Sequence, residues 1–362
     1  MVLLYHPMTR SGGAGYTVAM RLVLDSAEDA AHEGWLREMP GAYEWWYFDA
    51  LSDDGEWAIG CIWFLGNPFS PYYRLAALGQ PADPFAHNAL FFALYHRGRL
   101  HAYHFTRFPR SEVKTASSLP MTLQFGPNRL FLSADGIARL EIADENANGH
   151  RLTASLSFIA PPLIGTEDKS ENVPTTDHSW LPAAPICRVS GQIVLRAAQN
   201  KDAQIIKFAG RGYHDHNWGR LPFDANVQDW YWARGTLTDE RAVLLYHVRY
   251  RGRQKPVSHL LLFDHGILTS HNAEVRLSRI TLNGFGTRYA TQLSVESGNL
   301  RVQFRLGARL DSAPFYVRAL CDAEVTVGGV TETGQGMGEY FRPGIMAWPL
   351  VASAMKARIV EA

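Results

Sequence analysis

The sequence contains few cysteines, no excess of either charge and no long apolar run. Its three cysteines, Cys61, Cys187 and Cys321, are too widely spaced for a disulfide framework or a thiolate metal site, which favours a reducing compartment. Its 35 Lys and Arg balance 35 Asp and Glu, so no net charge attracts nucleic acid or an anionic surface. No apolar run approaches the roughly 20 residues that cross a bilayer. We therefore expect a cytoplasmic protein with no nucleic-acid partner, whose contact with the inner membrane is at most peripheral.

Signals of secretion and of several common catalytic classes are also missing. The first residues show no basic stretch followed by an apolar run and a cleavage site, so we expect no signal peptide. No nucleophile elbow, phosphate-binding loop, dinucleotide fingerprint or protein-kinase motif set occurs in the chain. A serine-triad hydrolase is therefore not indicated.

Short segments of alternating apolar and polar residues, bounded by turn residues, are abundant. This pattern is typical of β-strands and occurs at 138–142, 151–158, 191–195, 274–277 and 299–306. Helical periodicity occurs only at 26–37 and 352–360. The chain is therefore predicted to be all-β, built as antiparallel barrels or sandwiches with a few short helices.

Two aromatic segments half a chain apart resemble each other. Residues 44–48 (EWWYF) are followed by LSDD at 51–54, and residues 229–233 (DWYWA) are followed by LTDE at 237–240. Each copy has an acid, a run of aromatic residues and a hairpin turn, and a second apolar strand comes after each turn. Two similar β-domains are the simplest explanation.

The segment between the two copies has a different composition. Residues 161–185 are rich in Pro, Thr, Ser and charge and show no periodicity, which is typical of a linker or a lid. We therefore predict an N-terminal domain at residues 1–185 and a C-terminal domain at residues 186–362.

The densest polar cluster follows an apolar segment near the middle of the chain. It reads Tyr213-His214-Asp215-His216-Asn217-Trp218-Gly219. In an extended strand the histidines and the tryptophan lie on one face, and the tyrosine, aspartate and asparagine lie on the other. These groups could simply brace a barrel and satisfy turn backbone groups. For the cluster as a whole we favour catalysis, because buried ionisable groups beside aromatic rings have shifted pKa values.

A metal site is a weaker interpretation of the same cluster. His214 and His216 have the spacing of a metal pair on a strand, but catalytic zinc normally has three protein ligands. His247 and His259 are further candidates that the sequence alone cannot place. We therefore predict no metal.

Aromatic residues are numerous enough to line a deep apolar pocket. They include Trp45, Trp46, Tyr47, Trp63, Phe64, Tyr72, Tyr73, Trp218, Trp230, Tyr231 and Trp232. About half of them should be ordinary core residues. The π faces of the rest could stabilise a positive centre on an apolar substrate.

Five stretches, in the same order, resemble the hydroxyneurosporene synthase family, which comprises the carotenoid 1,2-hydratases, and its broader AttH-like relatives. They are residues 41–55 with the first aromatic hairpin, Phe69-Ser70-Pro71-Tyr72-Tyr73, His178-Ser179-Trp180-Leu181-Pro182 with the residues that follow, the cluster at 212–219, and Leu310-Asp311-Ser312-Ala313-Pro314-Phe315-Tyr316. The resemblance covers most of the chain, and it implies two lipocalin-like barrels or sandwiches in tandem.

The resemblance also implies a reaction. Family members are thought to add water to a terminal double bond of an acyclic carotenoid without a cofactor: an acid protonates the alkene, a tertiary cation forms, and water captures it. A His-x-Trp pair is carried over onto His216 and Trp218, and a tyrosine onto Tyr246. The family has an aspartate two residues after this tyrosine, where this chain has Val248. Either the alignment shifts locally, or Asp215 supplies the proton, or the reaction differs.

We therefore predict that Asp215 is the acid and that His214 and His216 tune it or orient water. Trp218, Tyr246 and Trp230 would face the cation. Substrate contacts are predicted for Trp46, Trp230, Trp232, Tyr231, Glu44 and Tyr73. Glu44 and Asp229 are reserve acids, since each begins an aromatic hairpin, although a structural role at the barrel end is favoured for both.

Two other functions fit the same residues. A cyclase or pericyclase acting on a terpenoid or polyene would also shield a cation, and it would not need an acid at Val248. A carrier of apolar ligands would use the barrels without the His-Asp-His cluster. In each case the partner is a hydrophobic small molecule, and the sequence leaves the oligomeric state open.

Overall fold

Strands dominate the structure, as the alternating pattern predicts. A computed structural model describes residues 20–79, 82–168, 178–198, 202–221, 227–356 and 358–362. The α-helices are α1 (Glu33–Glu38), α2 (Pro71–Gly79) and α3 (Pro349–Lys356), and 3-10 turns lie at Ser26–Asp29, Pro84–Ala86, Arg110–Glu112 and Pro343–Ala347. Within this part of the chain, no helix has the length and apolar character required to span a bilayer.

Thirteen strands form the first sheet. They are β1 (Met20–Leu22), β2 (Ala42–Ser52), β3 (Trp57–Leu65), β4 (Asn88–His96), β5 (Arg99–Phe108), β6 (Val113–Lys114), β7 (Met121–Phe125), β8 (Asn128–Leu132), β9 (Ile137–Glu145), β10 (Arg151–Ile159), β12 (His178–Arg196), β13 (Ala203–Arg220) and β23 (Val360–Glu361). Their spatial order is β23, β5, β4, β3, β2, β13, β12, β10, β9, β8, β7 and β6, with β1 beside β12.

Ten strands form the second sheet. They are β11 (Gly165–Asp168), β14 (Val227–Thr236), β15 (Arg241–Tyr250), β16 (Val257–Asp264), β17 (Ile267–Asn272), β18 (Glu274–Leu282), β19 (Arg288–Ser297), β20 (Leu300–Ala313), β21 (Tyr316–Val327) and β22 (Val330–Phe341). Their order is β11, β17, β16, β15, β14, β22, β21, β20, β19 and β18. The predicted all-β, lipocalin-like fold class is confirmed.

Three apolar cores organise the two sheets. One core belongs to the first sheet, one to the second, and the third, which we call the shared core, contains residues of both sheets. On β2, Trp46 packs into the first core while its neighbours Trp45 and Tyr47 pack into the shared core. On β14, Tyr231 packs into the second core while Trp230 packs into the shared core. Both strands are therefore buried on both faces, because successive side chains point to opposite sides of a strand.

A buried ion pair joins the two sheets. Arg234 on β14 donates from Nε to Asp49 Oδ1 on β2 at 2.7 Å, and Tyr47 donates from its hydroxyl to Asp49 Oδ2 at 2.9 Å. Both charged side chains are almost fully buried. The pair ties β2 of the first sheet to β14 of the second, because separating two desolvated charges is costly.

The two aromatic hairpins predicted from the duplication are present. β2 pairs with β3, and β14 pairs with β15, each through a short turn. The predicted strands at 138–142, 151–158, 191–195 and 274–277 all lie within strands of the structure, and a further strand covers residues 300–306.

Other expectations need correction. The linker predicted at 161–185 contains β11 and the first part of β12, and residues 169–177 lie outside the described residues. Residue 185, the predicted domain boundary, lies inside β12. Most strands of the second sheet follow β13, but β11 also belongs to the second sheet and β23 to the first. Backbone pairing with β13 explains why a segment without apolar periodicity still forms a strand. The division of the chain into two domains stays a prediction.

The helices also differ from the predicted positions. The helix predicted at 26–37 is a 3-10 turn, Ser26–Asp29, followed by the separate helix α1. The helix predicted at 352–360 begins earlier, at Pro349, and ends at Lys356. Helix α2 was not predicted. It begins at Pro71, whose fixed φ angle suits the first turn of a helix.

Candidate functional site

A cavity of about 310 Å³ lies between the two sheets, on the side of the shared core. Aromatic side chains from both sheets line it, among them Trp45, Tyr47, Phe64, Phe91, Trp230, Trp232, Tyr246 and Phe341. Three residues with carboxyl side chains, Asp215, Asp311 and Glu339, also belong to its wall. An apolar chamber with a few polar groups is the usual form of a small-molecule site. A larger hollow beside β5 is lined by a mixture of polar and apolar residues, and it has no comparable aromatic wall.

Asp215 lies on the cavity wall within a set of neutral hydrogen-bond donors. Its Oδ2 accepts from the Tyr213 hydroxyl at 2.8 Å and from Trp180 Nε1 at 3.0 Å, and its Oδ1 accepts from Asn217 Nδ2 at 2.7 Å. Burial raises the pKa of Asp215 to about 7, against the lowering effect of the hydrogen bonds from Tyr213 and Trp180. The carboxyl group can therefore change its protonation state near neutral pH.

A second polar group on the wall is an ion pair. Arg318 on β21 donates to Glu339 Oε1 on β22 from Nε at 2.9 Å, and its Nη2 lies 2.8 Å from the same oxygen. The hydroxyl of Tyr316 also donates to this oxygen. The guanidinium carbon lies 5.5 Å from the centre of the Tyr47 ring and 5.6 Å from that of Phe91. Among the described residues, Glu339 thus has a cationic partner and Asp215 has no ion pair.

His178 positions the tyrosine on the opposite wall. Its Nε2 lies 3.2 Å from the Tyr246 hydroxyl, and its Nδ1 lies 3.2 Å from the Tyr43 hydroxyl. Burial lowers the pKa of His178 to about 3, so the imidazole is neutral at physiological pH. The Trp230 ring lies beside Tyr246 and packs on Phe341 with ring centres 4.3 Å apart. The wall therefore presents fixed π faces to the cavity.

The polar cluster on β13 divides between two faces, as strand alternation predicts. Asp215 and Asn217 face the cavity. His214 stacks on Phe48 with ring centres 4.1 Å apart and lies 3.0 Å from Asp29, on the far side of the sheet. Its charge lowers the pKa of Asp215 from that side, against the larger effect of burial. This influence is consistent with the predicted tuning role of His214, which stays a prediction.

Several predicted site residues lie away from the cavity. His216, Trp218 and Trp46 form a stack on the far side of β2 and β13, where Glu44 contacts His216. These side chains do not line the cavity, because they alternate with the residues that do. Trp218 is therefore not part of the wall predicted to face a cation.

The three remaining candidates have structural contacts. The Tyr231 hydroxyl accepts the backbone N–H of Ala290 in the second core. The Tyr73 hydroxyl donates to the carbonyl of Ala42. Asp229 pairs with Arg249. Of the predicted site residues, Asp215, Tyr246, Trp230 and Trp232 line the cavity, whereas Tyr231 and Tyr73 do not.

The polar groups that the second sheet contributes were not predicted from the sequence. Arg318 and Glu339 lie in segments with no distinctive motif. One signal could have found Arg318. It follows Tyr316, the last residue of the fifth stretch that resembles the family, by two positions, and residues two apart lie on the same face of a strand. Trp180 and His178 belong to another of those stretches, but their contacts with β13 and β15 depend on the fold.

Comparison with known proteins agrees with this architecture. Residues 61–358 match the family model of the carotenoid hydratase CrtC. The chain is 30% identical to an acyclic carotenoid 1,2-hydratase from Thiocapsa roseopersicina, over 82% of this chain and 68% of that protein. It is 28% identical to a hydroxyneurosporene dehydrogenase from Chlorobaculum tepidum, over 95% and 93% of the two chains.

Solved structures share the fold. A protein from Nitrosomonas europaea described as AttH superposes with a TM-score of 0.58 at 19% identity, covering 88% of this chain and 96% of that one. Kievitone hydratase from Nectria haematococca superposes with a TM-score of 0.50 at 13% identity, covering 90% and 97%. At these identities the superpositions concern the fold alone, whereas the family model matches the sequence over most of its length. The chain belongs to the carotenoid hydratase family, CrtC.

Proposed function

We propose that this protein adds water across the terminal double bond of an acyclic carotenoid or a related isoprenoid. The observation that carries the proposal is Asp215, a buried carboxyl group with a pKa of about 7 on the wall of an aromatic cavity. An alkene is a weak base, so its protonation requires an acid that is still neutral near physiological pH. Family membership and the hydratase names of several relatives support the same reaction.

The proposed steps balance with water as the only co-reactant. Asp215 gives its proton to the less substituted alkene carbon, and the π electrons form the new C–H bond. The other carbon becomes a tertiary cation, which water attacks to form the C–O bond. The oxonium proton returns to the Asp215 carboxylate, so the acid is restored. Because no electrons are gained or lost overall, the proposed reaction requires no redox cofactor.

The wall around Asp215 suits the cationic intermediate. The rings of Trp230, Trp232 and Tyr246 offer π faces, which attract a positive centre in a site with little water. The carboxylate of Glu339 adds a fixed negative charge, and Arg318 holds it in place. Asn217, which donates to Asp215, can offer its amide oxygen to the attacking water.

Labelled water tests the reaction. Purified protein incubated with lycopene, neurosporene or a shorter geranyl analogue in heavy-oxygen water should give a tertiary alcohol carrying the label. Asp215→Asn should lower the rate by about 100-fold or more, whereas Asp311→Asn, which changes another carboxyl on the wall, should keep most of it. A product of unchanged mass would favour the cyclase, and binding without turnover would favour the carrier.

We also propose that the protein takes its substrate from a membrane surface. Helix α3 contributes Val351 and Met355 to the cavity, and the β18–β19 loop contributes Phe285. Beside this rim, Trp348 and Leu350 are 61% and 87% exposed, and Phe285 is 59% exposed. Exposed apolar groups next to a cavity for an apolar ligand are typical of membrane contact.

Vesicle sedimentation tests the membrane contact. The wild-type protein should sediment with phospholipid vesicles, and the double variant Trp348→Ser, Leu350→Ser should stay in the supernatant. Val330→Ser is the matched control, because Val330 is 70% exposed but lies on β22, outside the residues that line the cavity. Equal sedimentation of all three proteins would contradict this part of the proposal.

A further inference from the structure

We propose that His32, Glu44 and His216 bind one divalent transition-metal ion, with Zn²⁺ as the reference ion. The three residues come from separate elements: His32 precedes α1, Glu44 lies on β2 and His216 on β13. One potential ligand atom from each lies within 4.8 Å of the other two. Two imidazoles and one carboxylate form a set of three that binds zinc in proteins and leaves a coordination position open.

The outer nitrogen of each imidazole already has an acceptor. His216 Nδ1 lies 2.8 Å from the backbone carbonyl oxygen of Glu28, and His32 Nε2 lies 2.7 Å from Glu28 Oε2. Both acceptors require an N–H on that nitrogen, which leaves His216 Nε2 and His32 Nδ1 directed at Glu44. Histidines that bind metals usually donate their second N–H to a carbonyl or carboxylate in this way.

An unsatisfied oxygen points to a missing ligand. Glu44 is fully buried, and its Oε2 has no hydrogen-bond partner among the described residues. A buried carboxylate oxygen without a partner is costly. In neutral histidines the nitrogens that face Glu44, His32 Nδ1 and His216 Nε2, carry no hydrogen and cannot donate to it. A metal ion bound by these two nitrogens and by the carboxylate would satisfy the whole group.

The surrounding rings hold the ligands in place and leave a route for the ion. His216 stacks on Trp46 with ring centres 4.5 Å apart and an interplanar angle of 13°. Trp218 packs against both His32 and His216. The side chain of His32 is 23% exposed, so an ion can reach the site from solvent. Asp29, 3.8 Å from His216, adds negative charge.

The site lies on the opposite face of β13 from Asp215, outside the proposed reaction cavity. An ion there would attach the segment before α1 to the centre of the first sheet, because its ligands come from both. Its role is therefore structural, and the proposal is independent of the hydration chemistry. Of the two histidines that suggested a metal pair in the sequence, only His216 belongs to this set, because His214 contacts Asp29 instead. The other two ligands lie about 170 or more positions earlier in the chain, and the register of β2 with β13 brings Glu44 to His216.

Titration of the full chain with metal tests the site. After removal of metal with a chelator, wild-type protein should bind one Zn²⁺ per chain in calorimetry, and the unfolding temperature should rise with bound zinc. His32→Ala and Glu44→Gln should each weaken binding at least about tenfold. The control His265→Ala removes an exposed histidine in the turn between β16 and β17 and should bind like wild type.

Spectroscopy of the wild-type protein tests the site without any substitution, so it remains informative if a variant fails to fold. With Co²⁺ in place of zinc, proton NMR should show two paramagnetically shifted imidazole N–H signals, one from each histidine. No zinc binding by wild type, fewer than two such signals, or an equal loss in His265→Ala would overturn the proposal. Those outcomes would identify the cluster as a hydrogen-bonded group only.

Discussion

Gly60 on β3 packs directly against the guanidinium of Arg318 on β21, and a Cβ at residue 60 would overlap Arg318 Nη1. The absence of a side chain at Gly60 therefore makes room for the cation that holds Glu339. We predict that Gly60→Ala displaces Arg318 and lowers kcat/KM for hydration by about 10- to 100-fold, because misplaced groups lose transition-state contacts. Steady-state kinetics measure this effect.

The control for this substitution is Gly34→Ala. Gly34 lies in α1, and among the described residues no atom outside its own helix backbone and adjacent residues lies within 4 Å of the position that an alanine methyl group would occupy, so alanine should be tolerated there. Unchanged kinetics in Gly60→Ala, with a folded protein by circular dichroism, would show that the position of Arg318 does not matter for turnover.

Activity should depend on the protonation of Asp215. Burial raises the pKa of this carboxyl group to about 7, so the acid form dominates below that pH and disappears above it. We predict that kcat/KM falls as pH rises through about 7. A pH profile of the wild type measures the change, and a flat profile between about pH 5 and pH 9 would contradict the role of Asp215 as the acid.

The same shift should affect stability. The folded-state pKa of Asp215 is above its unfolded value, so ionisation opposes folding as pH rises from about 4 to about 7. Asp215→Asn should therefore gain stability relative to wild type on going from about pH 5 to about pH 8, by about 2–3 kcal/mol. Urea unfolding of both proteins at both pH values tests this prediction. If the free energies of unfolding of the two proteins differed by the same amount at each pH, the prediction would be wrong.

Trp180 should control the position of the pH profile. Its indole Nε1 donates to Asp215 Oδ2 at 3.0 Å, and this hydrogen bond lowers the pKa of the carboxyl group. Trp180→Phe removes the donor but keeps an aromatic ring, so the loss of activity should move to higher pH. Trp57→Phe, a change in a partly buried ring on β3 that stacks on His96, should leave the profile in place. A shift to lower pH would exclude the hydrogen bond as the cause.

The ion pair between the sheets should matter for folding. Arg234→Leu leaves Asp49 buried without its cation, so we predict a loss of about 3–5 kcal/mol in the free energy of unfolding. Arg188→Ala breaks contacts with Asp53 and Asp239 that are half exposed, and it should cost less than about 1 kcal/mol. Denaturant unfolding measures both, and similar losses would show that burial of the pair does not matter.

Part of the site was predictable because it depends on local geometry. The alternation of β13 separated Asp215 from His214 and His216 without any knowledge of the fold. The duplicated hairpins were likewise visible, because each is built by neighbouring residues. The place of Arg318 and Glu339 in the site was not predictable, because they lie about 100 residues or more after Asp215. Only the pairing of β21 with β22 brings the two residues together.

Side-chain alternation is a property of each strand, so the sequence is enough to predict many of the strands, the two aromatic hairpins and the opposition of Asp215 to its neighbouring histidines. Alternation alone does not say which face of each strand borders the cavity. β2, β13 and β14 are buried on both sides near their centres, so hydrophobicity is similar on the two faces. The choice between them is made by the packing of one sheet against the other, which places Asp215 towards the cavity and His216 beside Glu44.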